Sequence, residues 1–241
     1  MHMIPTQLIP RSIRLALVIA ALASVDPLQA EEFSYRNLTS ARMKLDKHFD
    51  FEANADSYMQ AFRYDIYKAY RNDEFQFRRK LSETVEMMKE AAEQFSLDAE
   101  MTLNVRLTLG NYNFAKQDFP IIEMNGSNYW YKNCPYHRGN LPSSYSVHLT
   151  NKTLIRSIPM SERNAEAFIA ARKTSYGSVN RSIEGVIRFK ILKLRGEKNE
   201  FDVEVQSARF FADEARTRVL HSVVKKDESK AKKSEVVFAQ D

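Results

Sequence analysis

Residues 182–206 read SIEGVIRFKILKLRGEKNEFDVEVQ, and the spacing of their apolar side chains decides the fold class. Ile183, Ile187, Phe189 and Ile191 share one parity, and Phe201, Val203 and Val205 resume that period of two after a break at Gly196–Asn199. In an extended chain, alternate side chains point to opposite faces, so the stretch predicts an antiparallel hairpin with one buried face. Arg188 and Lys190 share a parity with Asp202 and Glu204, so a register that pairs the apolar sets also sets opposite charges across from each other on the outer face.

The same period appears upstream. Met101, Leu103, Val105, Leu107 and Leu109 alternate with Thr102, Asn104, Arg106 and Thr108, which predicts a second one-faced strand. Gly110–Asn111 breaks the phase, as a bulge or tight turn does. Shorter apolar runs at 119–124, 145–149, 154–158 and 217–224 extend a mainly antiparallel sheet. Ser161 stands where it could cap one inserted helix over 162–173, with Ala165, Phe168 and Ile169 facing inward.

Before Met101 the period becomes three and four. Ala55, Tyr58, Met59, Phe62, Ile66, Tyr67 and Tyr70 form one stripe of a helix over 54–70. Asn72–Asp73 interrupts it, and Asp73 with Gln76 reads as a capping box that opens a second helix over 73–95, with Phe77, Leu81, Val85, Met88, Ala92 and Phe95 as its stripe. The pair predicts a helical hairpin that buries Phe62 and Ile66 against Leu81 and Val85, or that packs on the sheet. Residues 31–53 show mixed periodicity, and Leu38, Met43, Leu45 and Phe49 could form one face of a short helix or belong to an irregular lead-in. The expected class is α+β: a helical region over 31–96, a β-rich domain over 97–224 and a charged tail over 225–241.

The first thirty residues set the compartment. Arg11 and Arg14 precede the uncharged apolar run Leu15–Ala23, and Leu28–Gln29–Ala30 ends on a small residue, so a secretion signal cleaved after Ala30 is expected. The apolar run covers about 14 Å against a bilayer core of about 30 Å, too short for a transmembrane anchor. Cleavage would leave a periplasmic or secreted chain. The full chain carries +5, and losing Arg11, Arg14 and Asp26 leaves +4, with five lysines in the final seventeen residues. A nearly neutral folded part gives no reason to expect nucleic acid as a partner. Cys134 is the sole cysteine, which excludes an internal disulfide and a lipid-modified cysteine at the cleavage site.

Catalytic and cofactor patterns are absent from the sequence. Six scattered glycines form neither a phosphate-cradling loop nor a dinucleotide fingerprint, so no cofactor is expected. Ser127 and Ser178 each have only one nearby glycine, short of the pair that brackets a serine nucleophile. Cys134 and His137 lie three apart, whereas a thiol and its base are normally brought together by the fold, and His48, His148 and His221 show no ligand spacing for a metal. The candidate binding residues are Tyr129, Trp130, Tyr131, Tyr136, His137 and Arg138, in a long aromatic loop over 128–145. Exposed rings there could stack on a sugar or an apolar ligand while Arg138 and Lys132 pair an anion. The alternative is that the rings fold back and seal the end of the sheet.

The order of a secretion signal, a helix pair broken at Asn72-Asp73-Glu74-Phe75, the sequence LTLGNYNF over 107–114 and a late hairpin resembles uncharacterised families of exported bacterial proteins. The resemblance implies a compartment and supplies no activity or functional residues. With no catalytic constellation, the expected role is a non-enzymatic binding or interaction module whose partner is an envelope protein or a glycan. The rival is an exported hydrolase acting on cell-wall or polysaccharide material through the 128–145 loop, and a third reading is a structural envelope protein.

Overall fold

The computed structural model describes residues 30–126, 129–136, 139–196 and 199–226, and of Tyr129 only the backbone. The expected secretion signal up to Gln29 and the tail beyond Lys226 lie outside the described residues. The fold is α+β, with helices α1 to α4 ahead of most of the sheet.

The elements in chain order are β1 (Glu31–Glu32), α1 (Tyr35–Leu45), α2 (Phe51–Phe62), α3 (Tyr64–Tyr70), α4 (Glu74–Gln94), β2 (Met101–Thr108), β3 (Asp118–Pro120), β4 (Tyr129–Asn133), β5 (Ser144–Leu149), β6 (Ser157–Pro159), α5 (Glu162–Ala170), β7 (Ser182–Leu194), β8 (Glu200–Phe211) and β9 (Val219–Val224). The main sheet has the order β1-β2-β7-β8-β5-β4, with β9 also paired to β8, and β3 and β6 form a small second sheet. Its pairings are antiparallel except β1 with β2 and β5 with β8. The expected hairpin therefore supplies the two central strands.

Leu103 pairs with Ile187, Phe189 with Val205 and Ile191 with Val203, so the alternating apolar sets do share one buried face. Phe33, Leu38 and Ala41 bury against that face. Of the two readings open for residues 31–53, the short helix, α1, is the one found, with Leu38 and Met43 on its buried side. Its buried side chains include Thr39 and Ser40, which dilute the apolar period, and the Thr39 hydroxyl donates to the Tyr35 carbonyl at 2.8 Å. Helices α2 and α4 build a second core of Ala55, Tyr58, Val85, Met88 and Ala92, which Met43 of α1 and Leu141 complete.

The helix expected over 54–70 starts earlier, where Asp50 accepts from the Ala53 amide at 2.8 Å, and breaks at Arg63. The Arg63 guanidinium donates to the Thr84 hydroxyl of α4 at 2.8 Å, and its backbone leaves the helical region. Past that break α3 has no buried residue, so Phe62 is packed as expected and Ile66 is not. Asp73 does cap α4, accepting from the Gln76 amide at 3.0 Å. Helix α5 ends at Ala170, short of the expected 173, and Ser161 precedes it without a side-chain cap bond.

Two bulges adjust the central hairpin. Gln206 is an extra residue on β8 and Leu192 on β7, and their offsets cancel. Lys190 stands opposite Glu204 and Lys193 opposite Asp202, whereas Arg188 faces Ser207 and gains no carboxylate. The opposed charges expected for Lys190 are present, and those expected for Arg188 are not.

Candidate functional site

Beyond Thr108 the chain leaves β2 through a tightly closed turn. Leu109 bridges Ile121, and the Gly110 amide donates to the Pro120 carbonyl at 2.7 Å. A Cβ on residue 110 would lie 2.9 Å from Pro120 Cγ, so only glycine lets the two segments approach this closely. The turn closes as the Asn113 amide donates to the Asp118 carbonyl at 2.8 Å and Gln117 takes a left-handed φ of 52°. Two bonds fasten it to the entry of α5: the Met160 amide donates to the Gln117 carbonyl at 2.9 Å, and the Tyr112 hydroxyl donates to the Met160 carbonyl at 2.8 Å.

An aromatic wall follows from this fastening. The Tyr112 ring meets Phe114 edge-on with centroids 5.1 Å apart, and it lies 5.0 Å from Phe119. Phe119 in turn packs on Phe168 at 5.8 Å, and the Arg172 guanidinium stands over the Phe168 ring at 4.7 Å. Between this wall and Ala165 and Ile169 of α5 lies a groove of about 440 Å³. Phe119 and Ala165 are buried in its floor, while Phe114 is 69% exposed at its edge.

The charge around the groove is uneven. Glu162 and Glu166 line it from one face of α5, four residues and so about one helical turn apart, and neither has a cationic partner among the described residues. Lys173 lies at the far end. Desolvation, then the charges of Glu162 and Asp118, raise the Tyr112 pKa. An apolar floor beside unpaired carboxylates suits a ligand that has an apolar body and a positive charge. Both carboxylates sit on the same wall, whereas hydrolysis of a glycosidic bond needs one on each side of it.

The described members of the 128–145 stretch point to different neighbourhoods. Tyr129–Asn133 is a strand rather than loop, because it pairs antiparallel with β5 and closes one edge of the sheet. Trp130 turns inward opposite Val147 and packs on the main core, as does Cys134. Tyr131 is 63% exposed, and Tyr136 stacks on Tyr64 of α3 with centroids 4.9 Å apart. Lys132 places its ammonium over the Phe33 ring at 5.3 Å. His137, Arg138 and the Tyr129 side chain lie outside the described residues. Among the described residues, no three His, Cys, Asp or Glu side chains gather as metal ligands, and no helix is long and apolar enough to cross a membrane.

Sequence reasoning missed the groove because its walls are about fifty residues apart in the chain. The one local signal was the odd-parity pair Tyr112 and Phe114 just past the Gly110 break.

The architecture is that of an α+β protein with helices packed on one face of an open sheet and an aromatic, acid-edged groove beside α5. The chain belongs to the family described as Domain of unknown function (DUF4852), whose model matches residues 50–171. No match was found among curated proteins or solved structures. The matched span contains all the groove-lining residues named above except Lys173, and it stops before β7.

Proposed function

We propose that this chain is an exported binding module that holds a partner segment in the groove between α5 and the 109–118 turn. The partner segment carries apolar side chains flanked by lysine or arginine, as an envelope protein could present. The observation that carries this reading is the solvent-open aromatic edge at Phe114 beside two carboxylates that lack a cationic partner among the described residues. Export is supported by the basic, apolar and small-residue segments that precede Glu31.

The test is a titration of the isotope-labelled chain beginning at Glu31 with a short peptide that alternates leucine and lysine, followed by amide resonances. Saturable shifts confined to residues 112–119 and 162–173 are expected, and the glutamate counterpart of the peptide should cause none. Phe114→Ala combined with Glu166→Gln should weaken binding about tenfold, equivalent to about 1.4 kcal/mol. Equal affinity in that variant would remove the groove from the proposal. Turnover of a cell-wall glycan that is lost in Glu162→Gln would favour the hydrolase reading instead.

A further inference from the structure

The face of the sheet opposite α1 holds a second concave site. Residues of one parity on β7, β8 and β9 project outward: Arg188 beside Ser207, and Arg209 between Val186 and Ser222. They line a groove of about 220 Å³ that Val224, 70% exposed, closes at one end. Arg209 is two residues beyond Ser207, so the two arginines are diagonal neighbours on adjacent strands, about 7–8 Å apart at the backbone and within mutual reach of one small ligand.

Three acidic side chains of this face are already held by cations other than these two arginines. Around the same face Glu184 takes Arg106 at 2.8 Å and Arg216 at 3.8 Å, Asp202 takes Lys193 at 3.7 Å and Arg195 at 3.9 Å, and Glu204 takes Lys225 at 2.7 Å. Arg188 and Arg209 have no acidic partner among the described residues. The bulge at Gln206 contributes by bringing Ser207 opposite Arg188. Bulges commonly re-aim side chains beside functional sites.

We propose that Arg188, Arg209, Ser207 and Ser222 form an anion site for a phosphate-class dianion, such as a phosphomonoester. Two guanidiniums offering a bidentate fork each, with two hydroxyls, present about six donors, whereas a carboxylate has about four acceptor positions. The three terminal oxygens of a phosphomonoester take up that donor set more fully. The shared chemistry has two sources, a free phosphomonoester or an anionic lipid headgroup.

The experiment titrates the chain beginning at Glu31 with inorganic phosphate at constant ionic strength, observing arginine side-chain and backbone resonances. Saturable shifts at 186–188, 207–209 and 222–224 are expected, and Arg188→Gln with Arg209→Gln should reduce affinity at least tenfold. If that variant is misfolded, Arg188→Lys with Arg209→Lys keeps the charge and removes the forks, and it should still lose several-fold. A parallel arm compares sedimentation with phosphatidate and with phosphatidylcholine vesicles. Selective capture by phosphatidate that phosphate competes away assigns the headgroup source, and phosphate binding without capture assigns the free one. Shifts that acetate reproduces at the same concentration, or affinity unchanged in a folded variant, would overturn the site.

Discussion

Two buried tyrosines in contact make opposite demands on their hydroxyls. Tyr35 donates to the Pro142 carbonyl at 2.6 Å, whereas the hydroxyl of the fully buried Tyr145, its ring 5.0 Å away, makes no well-formed hydrogen bond among the described residues, although Thr39 and Arg42 stand close enough to offset part of the burial. Burial is the chief cause that pushes the Tyr145 pKa up to about 12, so the unsatisfied group is a neutral phenol. Removing a buried hydroxyl that makes no bond relieves a desolvation cost, and removing one that makes a bond strands its partner. Tyr145→Phe is expected to leave stability unchanged or raise it by up to about 1 kcal/mol, and Tyr35→Phe to lower it by about 1–2 kcal/mol, both read from denaturant midpoints. A loss at position 145 as large as at 35 would contradict the contrast. His221 is a third case: its ring stacks on Phe210 with centroids 6.4 Å apart, and burial lowers its pKa from the ordinary 6.5. The folded chain then takes up that proton less readily than the unfolded chain. The stabilising contribution is complete above about pH 6.5 and declines as the pH falls toward the depressed folded value. His221→Phe should flatten the stability profile in that window, above the range where carboxylates titrate.

Among the elements, the segment after β4 shows how a loop can be as firmly determined as a strand. Gly139 adopts a φ of 94°, the Asn140 amide donates to the Ser57 hydroxyl at 2.8 Å, and the Asn140 side chain donates to the Ala53 carbonyl at 2.7 Å. These contacts seat Leu141 in the core between α2 and α4. A Cβ on residue 139 would fall 2.3 Å from the Ser57 hydroxyl oxygen, whereas one on Gly177, at a φ of 79°, would meet nothing within 4 Å. Gly139→Ala should therefore cost about 1–2 kcal/mol of backbone strain plus an overpacking cost of about 1–3 kcal/mol, and Gly177→Ala the strain alone, as compared by thermal midpoints. The same distinction between local and distant causes explains what the sequence discloses. Strands β2 and β7 are legible because burial of one face writes a period of two, whereas the bulge at Gln206, which moves Arg188 opposite Ser207, is a finding of the structure. Helix α1 is legible only as one of two readings, since buried Thr39 and Ser40 interrupt its stripe. The break at Arg63 depends on Thr84, twenty-one residues on, and the consecutive rings Tyr129, Trp130 and Tyr131 become a strand only through β5. The groove is legible least of all, because Tyr112 reaches α5 through a bond to the Met160 carbonyl, forty-eight residues away.

At the scale of the whole molecule, the family match and the folded unit have different boundaries. Residues 50–171 include β2, β4 and β5, yet in the sheet β2 pairs with β7, β7 with β8, and β8 with β5. The two strands between β2 and β5 come from outside the matched span, as does α1, whose Leu38 and Ala41 cover the buried face of the sheet. Cut to 50–171, the chain would keep the α2–α4 pair but expose Leu103, Val105, Leu107, Val147 and Leu149, together with the free edges of β2 and β5. Fully burying each such side chain contributes about 1.5–3 kcal/mol, which is large against a typical net stability of about 5–15 kcal/mol. Free strand edges add a tendency to associate. The fragment is expected to show helical circular dichroism without dispersed amide resonances and to aggregate on concentration, whereas residues 30–226 should unfold in one cooperative transition. The measurement is a paired thermal and resonance-dispersion comparison of the two chains. A fragment that stays monomeric with native-like dispersion would mean that the helices and the groove can fold without the central hairpin, and that β7 and β8 extend a unit already formed.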